Sequence, residues 1–165
     1  GMELVAQNSA GGDTNVSVYT ISGKDFLKAG ESARREVFGP TAVVVNCADA
    51  DELLKVAASF SGTLTSGIHA TENDPMDLSL LISIVERISG RIVWNQWPTG
   101  LAVTWAMHHG GPYPASTNPL FTSVGAKAIL RFRRPITYQN FPQKYLSPVL
   151  QDGAAELKSA RINGK

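Results

Sequence analysis

Residues 35–45 read REVFGPTAVVV: a charged pair, an aromatic ring, a Gly-Pro break, then valines. A valine block without polar alternation predicts a strand covered on both faces, the pattern of parallel sheets flanked by helices. The residues that follow, DADELLKVAASF at 49–60, predict a helix: Asp49 can cap the first amides, Glu52 sits three positions on, and Leu53, Val56, Ala57 and Phe60 recur at helical spacing. Gly62 is expected to close it.

Working outward, DPMDLSLLISIVERISG predicts a second helix with Asp74 as cap, Pro75 at its first position, a stripe of Leu78, Leu81, Ile82, Val85 and Ile88, and Gly90 at its exit. A third helix is expected over 123–133 from Val124, Ala128, Ile129 and Phe132, stopping at Arg134 because Pro135 restricts it. Strands are expected at 16–21, 42–47, 63–69, 91–94 and 136–140. Alternating strands and helices predict an α/β fold, a three-layer, mostly parallel sheet with helices on both faces. The expected division is a disordered or tag-derived N-terminus at 1–15, with Gly1 before Met2 set aside as a tag remnant, a folded body at 16–146 and a tail at 147–165.

At 165 residues and 43% hydrophobic, the chain can bury one domain core. Fifteen Lys and Arg against 14 Asp and Glu leave a formal charge of +1, so no broad field favours nucleic acid or an acidic membrane. No apolar run approaches the roughly 18 residues that span a bilayer, and the opening residues lack a secretory pattern, so a cytoplasmic location is expected.

Cys47 closes a valine strand with no basic neighbour, which predicts an inert, structural thiol. His108 and His109 are adjacent and lack a third ligand nearby, so no metal is expected. HHGGPYPAS reads as a loop, freed by Gly110 and Gly111 and restrained by Pro112 and Pro114. Arg131, Arg133 and Arg134 are explained by the dipole of a helix end. No one-segment phosphate-binding signature occurs. For EVFGP two readings stand: a solvated Glu36, a core Phe38 and an ordinary Gly39-Pro40 turn, or a carboxylate that accepts hydrogen bonds from two ribose hydroxyls beside a packing ring.

EVFGP, the valine strand and the capped helix resemble the C-terminal part of the NAD(P)-dependent aldehyde dehydrogenase superfamily. GRIVWN at 90–95 is similar to that family's strand leading toward its active site. HHGGPYPAST, SVGAKAILRFRRP and ITYQNFP resemble the branch of α-ketoglutaric semialdehyde and fatty aldehyde dehydrogenases. The resemblance spans about 16–146.

It implies that Glu36 binds the nicotinamide ribose and Phe38 holds the nicotinamide end of NAD or NADP. Pro98, Thr99 and Gly100, with His109 standing where other branches place phenylalanine, are implied to lie near the substrate passage. The family's nucleophilic cysteine precedes its E-x-F-G-P motif, whereas Cys47 follows it, so no catalytic residue is carried over. The chain alone is expected to be inactive and to bind no cofactor, with a homo-oligomer or the missing N-terminal part of the enzyme as partner. The alternative is a non-catalytic truncated remnant that serves only as an oligomerising or interaction domain; a free-standing dinucleotide-binding module would instead be stabilised by NAD or NADP.

Overall fold

The computed structural model describes residues 1–9 and 15–154. Two units divide the chain, Gly1–Arg131 and Phe132–Lys165. In the first, β1 (Glu3–Ser9) pairs antiparallel with β2 (Asn15–Ser22), which pairs in parallel with β3 (Thr41–Asn46) from Ser17 opposite Thr41 to Ser22 opposite Asn46. Between β2 and β3 lie α1 (Gly23–Ala29) and α2 (Glu31–Arg34). After β3 come α3 (Ala50–Ala58), β4 (Thr63–Ile68), α4 (Leu78–Ile88) and β5 (Ser89–Trp94). β4 and β5 pair in parallel as a separate two-stranded sheet.

Local chemistry sets the helix starts. The Ser22 hydroxyl accepts from the Asp25 N–H at 3.1 Å to open α1. At α3, Asp49 accepts from the Glu52 N–H at 2.8 Å, and the Glu52 carboxylate reaches back to the Ala48 N–H at 2.7 Å. That is one residue earlier than a reciprocal capping box would reach, yet it satisfies the same kind of orphan amide. Asp77 accepts from the Ser79 N–H at 2.9 Å and caps α4.

The first sheet's core is Ile21, Phe26 and Val56, with Leu27, Ala33, Val45 and Cys47 packed around it. Phe26, 2% exposed, meets the Phe60 ring at a centroid distance of 5.6 Å. Since side chains alternate along a strand, Val45 and Cys47 share the face turned to α1 and α3, while Ala42, Val44 and Asn46 share the opposite face. That second face is open among the described residues: Val44 is 49% exposed. α3 also contacts α4, which packs back on β5.

The α/β class with mainly parallel pairing is as expected, and four of the five expected strands form within a residue or two. Several expectations are corrected. The N-terminal segment expected to lack structure forms β1 over Glu3–Ser9; residues 10–14, and 155–165 of the expected tail, lie outside the described residues. α4 starts at Leu78, not at Pro75, because Asp74 is engaged in a local turn, its carboxylate accepting from the Met76 N–H at 3.1 Å. The third helix shrinks to a 3-10 turn at Ala128–Phe132. Gly125, at φ 109°, lies outside the helical region and blocks an earlier start. Residues 136–140 form no strand: no described strand lies beside them, and Tyr138 packs on Phe141 at 5.1 Å instead.

Candidate functional site

Glu36 and Phe38 stand on the connection from α2 to β3. Backbone bonds from Gly39 N–H to the Val37 carbonyl at 2.9 Å and from Thr41 N–H to the Gly39 carbonyl at 2.8 Å shape this turn. Glu36 is exposed, and among the described residues nothing pairs with its carboxylate. Phe38 is 94% exposed, which corrects the core reading of that ring. A phenyl ring left almost wholly in water has its full apolar area available to a ligand or a partner.

Pro98, Thr99 and Gly100 are exposed on the segment leaving the carboxyl end of β5. The segment is anchored at Asn95, whose side chain accepts from the Ala70 N–H and donates to the Ala70 carbonyl, both at 2.9 Å, tying the ends of β4 and β5 together. The Trp97 ring lies 5.2 Å from that of His69. Farther on, the Arg91 guanidinium donates to the Gly100 carbonyl at 3.0 Å, so the chain doubles back along β5.

This return path ends at His109. The His109 N–H donates to the Thr122 hydroxyl at 2.8 Å, and its carbonyl accepts from the Ser123 N–H at 2.9 Å and the Ser123 hydroxyl at 3.0 Å. Its ring is half-buried, with Nδ1 buried and unpaired among the described residues. Beyond it, buried Gly110 and Gly111 press their backbone against the starts of both strands of the second sheet: a Cβ on Gly90 would strike the Gly110 carbonyl, and one on Gly111 the Thr63 carbonyl. Gly62 likewise faces the carbonyls of Pro112 and Tyr113.

Gly62 and Gly90 therefore serve close backbone approach. The expectation that they terminate helices is corrected, since α3 ends at Ala58 and α4 at Ile88. The signal was present: Ser-Gly precedes Thr63 and Arg91 alike, and a Gly-Gly pair follows downstream. Sequence reading also missed Asn95, which has a positive φ of 51°, and His69.

No described hydrogen bond or ion pair joins Glu36 or Phe38 to the segment from 98 to 109, so the predicted residues form two groups. The two most pronounced hollows contain neither group. One, of about 400 Å3, is lined by Lys24, Leu27, Ala48, Asp49, Asp51, Glu52 and Lys55; the other, of about 450 Å3, lies between the N-terminus and α1. Cys47 is half-buried, and burial pushes its thiol up from the ordinary value, with the charges of Glu52 and Asp49 adding to the shift. A thiol so shifted is a poor nucleophile at neutral pH. No group of three metal-ligating side chains occurs among the described residues, and no described helix is long and apolar enough to cross a membrane.

No protein-family profile matches the chain. It is 42% identical over 136 residues to α-ketoglutaric semialdehyde dehydrogenase 2 of Azospirillum brasilense, a match covering 82% of this chain and 26% of that protein. It is 40% identical over 139 residues to α-ketoglutaric semialdehyde dehydrogenase of Acinetobacter baylyi, covering 84% of this chain and again 26% of the relative. The fold matches a solved γ-glutamyl-γ-aminobutyraldehyde dehydrogenase of Burkholderia cenocepacia with a TM-score of 0.54 at 21% identity, over 78% of this chain and 24% of that one. The chain thus spans about a quarter of the length of these relatives. Sequence and fold agree with the motifs at Glu36 and Gly90: the chain belongs to the aldehyde dehydrogenase family, as a segment of a larger enzyme.

Proposed function

We propose that this chain supplies the C-terminal part of the catalytic unit of an NAD(P)-dependent aldehyde dehydrogenase, oxidising an aldehyde such as α-ketoglutaric semialdehyde to a carboxylate. Its contribution is one wall of the nicotinamide site. The two carboxylate oxygens of Glu36 suit the paired hydroxyls of a ribose, each accepting one hydrogen bond. Phe38 offers an apolar face to the nicotinamide end. Pro98, Thr99, Gly100 and His109 line the approach of the aldehyde. Bound NAD or NADP would supply the hydride acceptor.

The single observation that carries this reading is the joint exposure of Glu36 and Phe38 on one short turn. A structural Glu-x-Phe would be expected to bury its ring; here the ring is 94% exposed beside an unpaired carboxylate. Alone, the chain oxidises nothing. Attack on an aldehyde carbonyl in this chemistry needs a thiolate, and the chain's one cysteine is half-buried with its thiol shifted up. One wall of a cofactor pocket also makes too few contacts to offset the cost of association, so NAD or NADP should leave the thermal midpoint of the isolated chain unchanged.

The test is to graft residues 16–146 in place of the matching segment of the Azospirillum relative. The graft should oxidise aldehydes, and Glu36→Ala should raise KM for the cofactor about 10- to 100-fold, the scale of hydrogen bonds to a charged group. A graft that is active but indifferent to Glu36 would refute the assigned role. A folded but inactive graft would favour the truncated remnant.

A further inference from the structure

The observation that goes furthest is the free edge of β3. Its sequence, Thr41–Asn46 or TAVVVN, holds no charge and no proline. β2 pairs with all six of its residues on one side, and among the described residues no strand pairs on the other. Soluble proteins guard such edges with lysine, proline, bulges or a covering element; β3 has none of these. The Pro40 carbonyl accepts from the Ser17 N–H of β2 at 3.0 Å. Backbone groups alternate sides along a strand, so those of Val43 and Val45 are turned to the free edge. Val43 is 39% and Val44 49% exposed, and Val37 and Phe38, just upstream, are 64% and 94% exposed.

The extent of exposed surface decides what covers this edge. The chain exposes 12596 Å2, whereas a compact monomer of 17.7 kDa exposes about 8,000 Å2. The excess of about 4,600 Å2 is roughly twice what one partner contributes even to a large obligate dimer, about 2,500 Å2. A second copy meeting one self-complementary patch would leave much of it open. A partner several times larger would not, and about three-quarters of the relatives' length lies outside the match.

We infer that the free edge of β3 is a strand-addition joint: the upstream part of an aldehyde dehydrogenase lays a strand along it, pairing with the backbone of Val43 and Val45 and covering Val44. This rests on the reading of the chain as part of that larger enzyme and names the surface that holds the rest. Main-chain pairing of this kind supplies affinity wherever a sheet edge is open, and apolar side chains on the joined face make it selective.

The test mixes the purified chain with the separately produced upstream part of the Azospirillum relative, followed by light scattering and amide hydrogen exchange. A one-to-one complex should form, and the Val43 and Val45 amides, fast in the free chain, should slow at least about 100-fold, as hydrogen-bonded core amides do. Val43→Pro removes one outward N–H at an edge position that tolerates proline, so the free chain should stay folded while the complex is lost. If that variant unfolds, the exchange measurement on the unaltered chain still decides. A complex in which these amides stay fast overturns the joint but leaves the proposed function standing. A homodimer that protects them makes a second copy the occupant and also overturns it, as does failure of the two folded parts to associate. Protected amides in a complex whose activity ignores Glu36 would uphold the joint and sink the cofactor reading instead.

Discussion

Replacing Gly90 by alanine tests whether glycine packing holds the HHGG segment to the second sheet. A Cβ at Gly90 would collide with the Gly110 carbonyl and approach the Gly111 Cα to 3.0 Å. These are backbone atoms and cannot rotate aside. The 109–111 segment must shift as a unit, yet it is tied by the three hydrogen bonds from His109 to Thr122 and Ser123. Overpacking of this kind costs about 1–3 kcal/mol, and the immobile neighbours put Gly90→Ala near the upper end, at about 2–3 kcal/mol. For a chain of this length that lowers the thermal midpoint by about 4–12 °C. Gly39→Ala is the control: nothing lies within 4 Å of its Cβ, so the change should stay within about 1 kcal/mol. Circular dichroism melting gives the midpoints, and amide exchange at His109 and Ser123 shows whether the clamp opens. If Gly90→Ala melts with the unaltered protein and keeps those amides protected, close approach is not what requires glycine there.

Other consequences concern titrating groups and the core. Because burial, with Glu52 and Asp49, raises the Cys47 thiol, its alkylation should be slower than that of a free thiol at neutral pH and climb with a midpoint above the ordinary value; Glu52→Gln should speed it, and an unchanged rate would count against the charge contribution. A raised folded value also means that the stability it confers is complete below the unfolded value and is lost as pH rises through the folded one, so melting in alkali should be less pH-sensitive in Cys47→Ala. Asp77 is shifted the other way, chiefly by its bond from the Ser79 N–H. Its contribution is present above the unfolded value and fades as pH falls through the folded one; Asp77→Asn, which keeps an acceptor oxygen, should flatten the acid limb of the melting profile, and an unaltered limb would contradict the cap's role. Phe26→Ala empties the most enclosed core position, 2% exposed, and should cost about 3–5 kcal/mol, read as a loss of cooperative melting.

What could be read from sequence follows the range of the interactions. α3 was legible because its signals are local: a cap at Asp49, an acid at Glu52 and an apolar stripe ending in Phe60. β3 was legible from valine alone, but its uncovered face was not, because a strand's composition anticipates the whole sheet, and part of that sheet belongs to other chain. β1 was hidden because ELVAQNS is mixed in character and its order comes from pairing with β2. Residues 136–140 failed for the converse reason: Ile136 and Tyr138 have strand composition without a described partner strand. Of the candidate site, Glu36 and Phe38 were legible only through a motif, and only coordinates reveal that the ring is exposed. The bearing of Gly62 and Gly90 on Gly110, Gly111 and Pro112 joins positions tens of residues apart, which no local pattern announces.

The most direct measurement of the central claim is reduced-nicotinamide absorbance when the chain, alone and then with the upstream part of a relative, is given NAD or NADP and an aldehyde. The account predicts no signal from the chain alone and a signal from the pair that weakens in Glu36→Ala. Cofactor-dependent oxidation by the chain alone, or a paired activity that Glu36→Ala leaves intact, would contradict it.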